Sequence, residues 1–346
     1  MTMFFSAGTP KGTVVAIPVA LEPDARPDVA DVAVARDFVT EALRLLGHTP
    51  VPLDISPDLL RDRERLDALL RSTGAGFVFN LFEGFGDDSA AEAAFCSAVE
   101  VSGIPYTGNP AHVLELCRSK GDTARLLRSA GLPVPDGVAL FPGWERRALD
   151  GVALPIFVKP LCEDGSVGVH PFSLVRRADE LDGTLARMLD LFPEGVLVQP
   201  FLPGREYSVS CIGNGAYRAV GVSVIDYDAE GETIPFRDYA SKWDPACPLY
   251  PLTPAPAGAK DGERASMLAL RAGEAIGCRG YFRVDLREKD GTLFILDVNP
   301  NPDMTPGGGF MRQCREGGIP GERVVAHLLE LALEEHGRRN SRCRAS

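Results

Sequence analysis

Two carboxylates and an amide interrupt runs of the sequence that are otherwise apolar. In Leu293-Phe-Ile-Leu-Asp297-Val-Asn299, Asp297 and Asn299 stand two residues apart and so share one face of a strand. The preceding run, Tyr281-Phe-Arg283-Val-Asp285-Leu286, carries Arg283 and Asp285 at the same spacing, and Lys289-Asp290-Gly291 between the runs is a hairpin signal. Pairing them brings Asp285 opposite Asp297 to within about one residue of register, and facing positions lie roughly 5 Å apart. Carboxylates that close in an apolar setting repel each other, and a cation is the simplest reason for both to stay ionised. Oxygen ligands alone select magnesium or manganese. The alternative is two solvated carboxylates on the open face of a hairpin.

A second group of residues could handle an anion. Lys159 closes the apolar strand of Leu154-Pro-Ile-Phe-Val-Lys159-Pro160, and Glu163-Asp-Gly165-Ser166-Val-Gly168 follows it. A buried lysine needs a counter-charge, and a short Gly/Ser turn lets backbone N–H groups approach phosphate oxygens. The loop lacks the Gly-Lys-Ser/Thr ending of a Walker phosphate loop, and no dinucleotide fingerprint follows the first strand. An ordinary strand end with a tight turn is the competing reading.

These residues need a scaffold, and the sequence predicts one in two parts. Strand and helix signals alternate over the first hundred or so residues: strand 14–20, helix 29–46, strand 50–53, helix 59–70, strand 76–81 and helix 88–101. That order argues for a parallel sheet covered by helices. A turn at 103–108 and a helix at 123–130, stopped by Gly131 with Pro133 and Pro135 beyond, lead into a mostly β region. There the strands fall at 155–160, 196–201 and 207–212, with helices near 179–191 and 264–276. The Pro-rich segment 244–256 reads as a long mobile loop.

Composition narrows the partners. A chain of 346 residues, 45% hydrophobic, can bury more than one core. A net charge of −12 argues against general nucleic-acid binding. No run approaches the roughly 20 apolar residues of a membrane span and no secretory signal opens the chain, so a cytoplasmic protein is expected. The eight cysteines are scattered singly, from Cys96 to Cys343, as reduced thiols rather than zinc or redox pairs. None of the five histidines needs a catalytic role.

Taken together, the motifs resemble the D-alanine–D-alanine ligases and the wider ATP-grasp superfamily over residues 77–319. The resemblance rests on Gly103-Ile-Pro-Tyr-Thr-Gly108, Ser119-Lys120 leading to Ala130-Gly-Leu-Pro-Val-Pro135, Phe157-Val-Lys-Pro160, Gly165-Ser-Val-Gly168, Gly280-Tyr-Phe-Arg-Val-Asp285 and Leu296-Asp-Val-Asn299. It implies an α/β (α+β) ATP-grasp fold. The expected division is a Rossmann-like N-terminal domain (1–115), a central lid domain (116–204), a C-terminal catalytic domain (205–337) and a disordered basic tail (338–346).

The resemblance also implies roles. Lys120 and Lys159 would contact ATP phosphates beneath the lid formed by Gly165, Ser166 and Val167. Gln199, Phe201 and Leu202 lie in the hinge that would read adenine, and Glu206 would bind the ribose. Asp285, Asp297 and Asn299 would hold two magnesium ions, with manganese as a substitute. Arg283, Lys242 and Ser166 are the catalytic candidates: Arg283 for the oxyanion of the tetrahedral intermediate, Lys242 beside the transferred phosphoryl group. The reaction is phosphorylation of a carboxylate to an acyl phosphate that an amine then attacks.

The amino-acid-reading residues depart from the family pattern. The family's Gly-Gly-x-Ser-x-Glu stretch is replaced by Pro18-Val-Ala-Leu-Glu22, its paired lid serines by Gly165-Ser166, and its loop tyrosine by Trp243. The serine for the second substrate's carboxylate falls at Gly307 or Gly308. Glu22, Glu83, Trp243, Gly307 and Gly308 are therefore the substrate-contact candidates. The expectation is an amide- or peptide-forming ligase for small-molecule acid and amine substrates other than two D-alanines, in specialised metabolism, with a homodimer compatible. The alternatives are an intramolecular cyclising ligase, a genuine D-alanine–D-alanine ligase and, last, a nucleotide-binding protein without catalysis.

Overall fold

A computed structural model describes residues 10–20, 22, 27–86, 88–228, 234–250 and 252–345. Three sheets organise it. The first is parallel, in the order Thr49–Ile55, Val14–Ala20, Phe77–Val78. Its central strand is buried on both faces, as its unbroken Val/Ile/Ala run requires. One face packs under the helices Pro27–Leu45 and Gly321–Ala345 through Val39, Leu43, Val325 and Leu328. The other packs under Arg63–Ser72 and Ala91–Ser102 through Leu66, Leu70, Phe95 and Val99.

Two antiparallel sheets follow. Four strands, in the order Val138–Leu140, Val196–Pro200, Ile156–Pro160, Leu174–Val175, pack on the helix Ala178–Leu191. Five strands, in the order Ala255–Pro256, Ala216–Ile225, Glu206–Asn214, Arg279–Lys289, Thr292–Asn299, pack on the helix Ala259–Ile276. The expected hairpin is the outer pair of this sheet. Among the described residues no helix is long and apolar enough to cross a membrane.

Three expectations need correction. The helix expected at 59–70 is two helices, Pro57–Arg61 and Arg63–Ser72, because Asp62 starts a new one by accepting the Arg65 amide at 3.0 Å. The strand expected at 76–81 shortens to Phe77–Val78. The basic tail is helical: Gly321–Ala345 runs through it, held by Arg338 to Glu334 at 2.5 Å and Arg339 to Glu100 at 3.2 Å. Acidic residues one turn back turn a frayed-looking segment into a paired helix end. The Pro-rich stretch also ends in order, with Ala255–Pro256 on the sheet edge, where proline's missing N–H costs no ladder bond.

The 103–108 turn docks the parallel sheet onto the hairpin 279–299. Gly108 has φ +89°, and a Cβ there would fall 2.5 Å from Asn301 Oδ1, so glycine is required. Next to it the Asn109 amide donates to Asn301 Oδ1 at 2.9 Å, and the Asn109 side chain donates to the Tyr281 carbonyl at 2.9 Å. Asn301 Nδ2 in turn donates to Glu92 Oε1 at 2.9 Å. The segment leaving Asn299 is thereby fixed from the far side.

Candidate active site

The hairpin register places Asp285 directly across from Asp297, and Arg283 across from Asn299, with a bulge immediately after Asp285. Asp285 is clamped. Arg283 Nε and Nη2 reach its two oxygens at 2.9 Å each, Ser208 Oγ donates at 2.7 Å and Asn299 Nδ2 at 3.2 Å. Burial alone would raise the Asp285 pKa, but Arg283 and Ser208 hold it below the usual carboxylate range. Asp297 goes the other way: burial raises it, against Lys120 at 3.7 Å and Lys159. The repulsion that called for a cation is thus met in part by the protein's own Arg283 and Lys120.

The anion-handling group converges on the same point. Burial would lower Lys120, but Asp297 and Asp164 hold its pKa raised, with Asp164 Oδ1 at 3.2 Å and the Glu163 carbonyl also accepting from Nζ. Lys159 is lowered by burial and donates to the Leu296 carbonyl at 3.4 Å, which spans the gap between the two antiparallel sheets. Above the lysines, Gly165 (φ +62°) and Ser166 (φ +65°) are both left-handed. Consecutive positive φ values turn backbone N–H groups to one side, and a serine held there is strained, as at ligand clamps. Gly168 is fixed by space: a Cβ there would overlap the Phe192 ring.

The lid meets the 237–243 segment. Ser166 Oγ donates to the Arg237 carbonyl at 3.1 Å, the Tyr239 amide to the Val169 carbonyl at 3.0 Å and Trp243 Nε1 to the Gly165 carbonyl at 3.0 Å. Lys242 is carried into the cleft on the short helix Tyr239–Trp243, started by Asp238, and its pKa is lowered first by burial and then by Arg283.

Most of these groups line one cleft of about 900 Å³, counted to its open mouth. Lys120, Lys159, Gly165, Ser166, Val167, Gln199, Phe201, Leu202, Glu206, Lys242, Arg283, Asp285, Asp297 and Asn299 all border it. So do residues to which the sequence assigned no role, among them Phe157, Phe236, Arg237 and Arg287. Phe157 lies edge-on to Phe236 with centroids 4.9 Å apart and 6.2 Å from Phe201, so three rings wall a flat slot beside Glu206. Alternation along Arg283-Val-Asp285-Leu-Arg287 is the one available signal for Arg287.

The substrate candidates lie outside this lining. Glu22 accepts the Gly86 amide at 2.8 Å. Glu83 is raised well above the carboxylate range by burial and by Asp303. The residue is nonetheless solvent-exposed, so it is not a core group. A Cβ added to Gly307 would meet nothing within 4 Å, whereas one on Gly308 would fall 2.5 Å from Asp303 Oδ2. Gly307 is therefore open surface, and Gly308 is a tight helix start.

A divalent ion fits the donor set in one way. No three His, Cys, Asp or Glu side chains among the described residues are placed to enclose an ion. Two carboxylates and an amide, Asp285, Asp297 and Asn299, offer oxygen ligands in the same cleft as Lys120 and Lys159. That is an incomplete shell of the kind magnesium accepts when substrate phosphates complete it.

One pH effect follows. Burial pushes Glu92 up to about 7, against its ordinary 4.5. Between these values the folded protein holds a proton that the unfolded chain has lost, so stability falls as pH rises through the window. The slope is at most about 1.4 kcal/mol per pH unit. Glu92→Gln keeps the acceptor for Asn301 and should flatten the fall, raising the unfolding midpoint relative to wild type at pH 8. Parallel wild-type and variant midpoints from pH 5 to 8 would contradict it.

The chain is similar to known proteins over most of its length. The family model for the D-ala D-ala ligase C-terminus matches residues 126–330. The D-alanine–D-alanine ligase of Desulforudis audaxviator is 34% identical over 303 residues, covering 86% of this chain and 92% of that protein. That of Gluconobacter oxydans is 34% identical over 303 residues, covering 87% and 93%. Among solved structures, the D-alanine–D-alanine ligase of Bacillus anthracis complexed with ATP superposes with a TM-score of 0.72 at 20% identity, over 95% of this chain and 100% of that one. The Coxiella burnetii ligase gives 0.73 at 18% identity, over 97% and 98%. At these identities the structures speak for the fold.

Proposed function

The chain belongs to the D-alanine–D-alanine ligase family of ATP-grasp enzymes, which form C–N bonds, and on that premise we propose that it joins two D-alanine molecules at the expense of ATP. The observation that carries the reading is the convergence of four cations, Lys120, Lys159, Lys242 and Arg283, on Asp285, Asp297 and Asn299 in one cleft. Phosphoryl transfer asks for positioning and charge neutralisation, not for a covalent nucleophile.

Each residue then has its part. Lys120 and Lys159 hold the phosphates under the Gly165-Ser166-Val167 lid. Gln199, Phe201 and Leu202, walled by Phe157 and Phe236, take the adenine, and Glu206 takes the ribose. Asp285, Asp297 and Asn299 would hold two magnesium ions, which would supply charge neutralisation on the phosphates. Lys242 lies beside the transferred group. Arg283, fixed by Asp285, meets the negative charge that develops on the carbonyl oxygen when the amine attacks the acyl phosphate. The lid excludes water that would otherwise consume that phosphate.

The sequence departures favour a different substrate pair; the relatives favour D-alanine. Two contacts support the second order. Trp243 bonds the lid at the Gly165 carbonyl, so the loop and lid stay tied with neither the family tyrosine nor the first lid serine. Glu22 braces Gly86, three residues along the chain from Glu83. The open surface at Gly307 is what a larger amine would use.

Product mass spectrometry and ADP release decide it, with D-alanine alone compared with D- and L-amino acids, β-amino acids and small peptides. D-alanyl-D-alanine at a rate matching any other product is the expected result. Another amide formed while the dipeptide is absent would overturn the D-alanine reading, and an internally closed product would favour a cyclising ligase.

A further inference from the structure

Arg287 lies two strand positions beyond Asp285, and the sheet register sets it directly across from Glu206. It is 4% exposed, so its charge is almost fully removed from water. Its guanidinium is shared between two elements. Nη1 donates to Glu206 Oε2 at 3.1 Å, and Nη2 donates to the Pro235 carbonyl. Its faces lie against the Phe201 ring at 5.1 Å and the Tyr227 ring at 5.0 Å. Tyr227 OH donates to the same Glu206 oxygen at 3.0 Å.

This arrangement has a consequence for the nucleotide. A lone carboxylate at a cleft wall samples several rotamers and is strongly hydrated, and ordering it on binding costs affinity. Glu206 has one oxygen already occupied by two donors, so its other oxygen is aimed before any ligand arrives. The buried arginine charge is in turn offset by the carboxylate it orients. The link to Pro235 ties the same guanidinium to the segment that carries Phe236, a wall of the aromatic slot.

We infer that Arg287 is a positioning residue for nucleotide recognition: acting through Glu206, it preorganises the acceptor for the ribose hydroxyls and fixes the adjacent wall of the base slot. The inference rests on the ATP-site reading above and adds to it a residue that acts on the nucleotide only through Glu206 and Pro235.

The test compares wild type, Arg287→Met and Arg287→Lys for binding of a non-hydrolysable ATP analogue by calorimetry. It also compares KM and kcat with ATP, 2′-deoxy-ATP and 3′-deoxy-ATP. Arg287→Met is expected to weaken analogue binding by about tenfold, with the change falling on KM more than on kcat. It should also shrink the penalty that wild type shows for the deoxy nucleotides. Arg287→Lys can reach one of the two acceptors and should recover part of both effects. Because Arg287→Met could fail to fold, Tyr227→Phe provides a second probe. It removes the other donor to Glu206 and should reduce deoxy discrimination in the same direction. Full discrimination retained in either variant, or analogue affinity equal to wild type in Arg287→Met, would overturn the inference. A wild-type protein that binds no ATP analogue would instead overturn the function proposed for the cleft.

Discussion

Asp297→Ala should lower ATP turnover by about three orders of magnitude, equivalent to losing roughly 4 kcal/mol of transition-state stabilisation. Asp297 acts on both halves of the site. It faces Asp285 across the hairpin and stands 3.7 Å from Lys120, and its charge supports Lys159 from the opposite sheet. Removing it takes away a proposed metal ligand and deprives two buried lysines of the strongest of their shared counter-charges. Lys159, already lowered by burial, would be lowered further and would hold phosphate less well. Asp297→Asn separates shape from charge, since the amide preserves the contact with the backbone of Val298 that the carboxylate accepts at 3.0 Å. Steady-state ADP release as a function of magnesium concentration is the measurement. Turnover within a few-fold of wild type at an unchanged magnesium requirement would defeat the metal-site assignment.

The legibility of this site in the sequence follows the range of the interactions that build it. The hairpin is readable because its determinants are local: period-two alternation and an Asp-Gly turn set the register of Asp285 and Asp297 within about twenty residues. Lys159 is readable for the same reason, as a charge at the end of an apolar strand. Arg287 is not, although it alternates in step with Arg283 and Asp285. Its meaning depends on Glu206, its facing residue on a strand 81 positions away, and no local pattern predicts which strands become neighbours. Phe157 and Phe236 are hidden in the same way, since an aromatic slot exists only when separate strands and a loop meet.

The helical tail shows a related limit. Arg338 and Arg339 read as a solvated basic run until Glu334 and the distant Glu100 supply partners. The substrate side is the least legible part. Gly307 and Gly308 read alike in sequence, yet one is bare and the other is enclosed by Asp303 and Thr305. Trp243 reads as a departure from a tyrosine, yet it makes a lid contact through the indole N–H.

Arg283→Met should be nearly as damaging as Asp297→Ala, lowering amide formation by about 10²- to 10³-fold, the usual cost of removing a donor from a developing oxyanion. Two routes lead to that loss. Arg283 could act directly on the carbonyl oxygen, or only by holding Asp285, to which both of its 2.9 Å bonds run. They differ in the step affected. Loss of Asp285 positioning harms phosphate handling and so slows acyl phosphate formation itself. Loss of the oxyanion donor harms the later attack by the amine. Positional isotope exchange in ATP reports the first step, and hydroxylamine trapping reports the acyl phosphate that accumulates when the second is slowed. The expected result is a modest fall in isotope exchange with a much larger fall in dipeptide formation. Arg283→Lys should recover little, because a lysine cannot make the two parallel bonds to Asp285 and still present a donor to the cleft. Equal falls in both steps would reduce Arg283 to a support for Asp285. Dipeptide formation close to wild type in either variant would remove it from the mechanism.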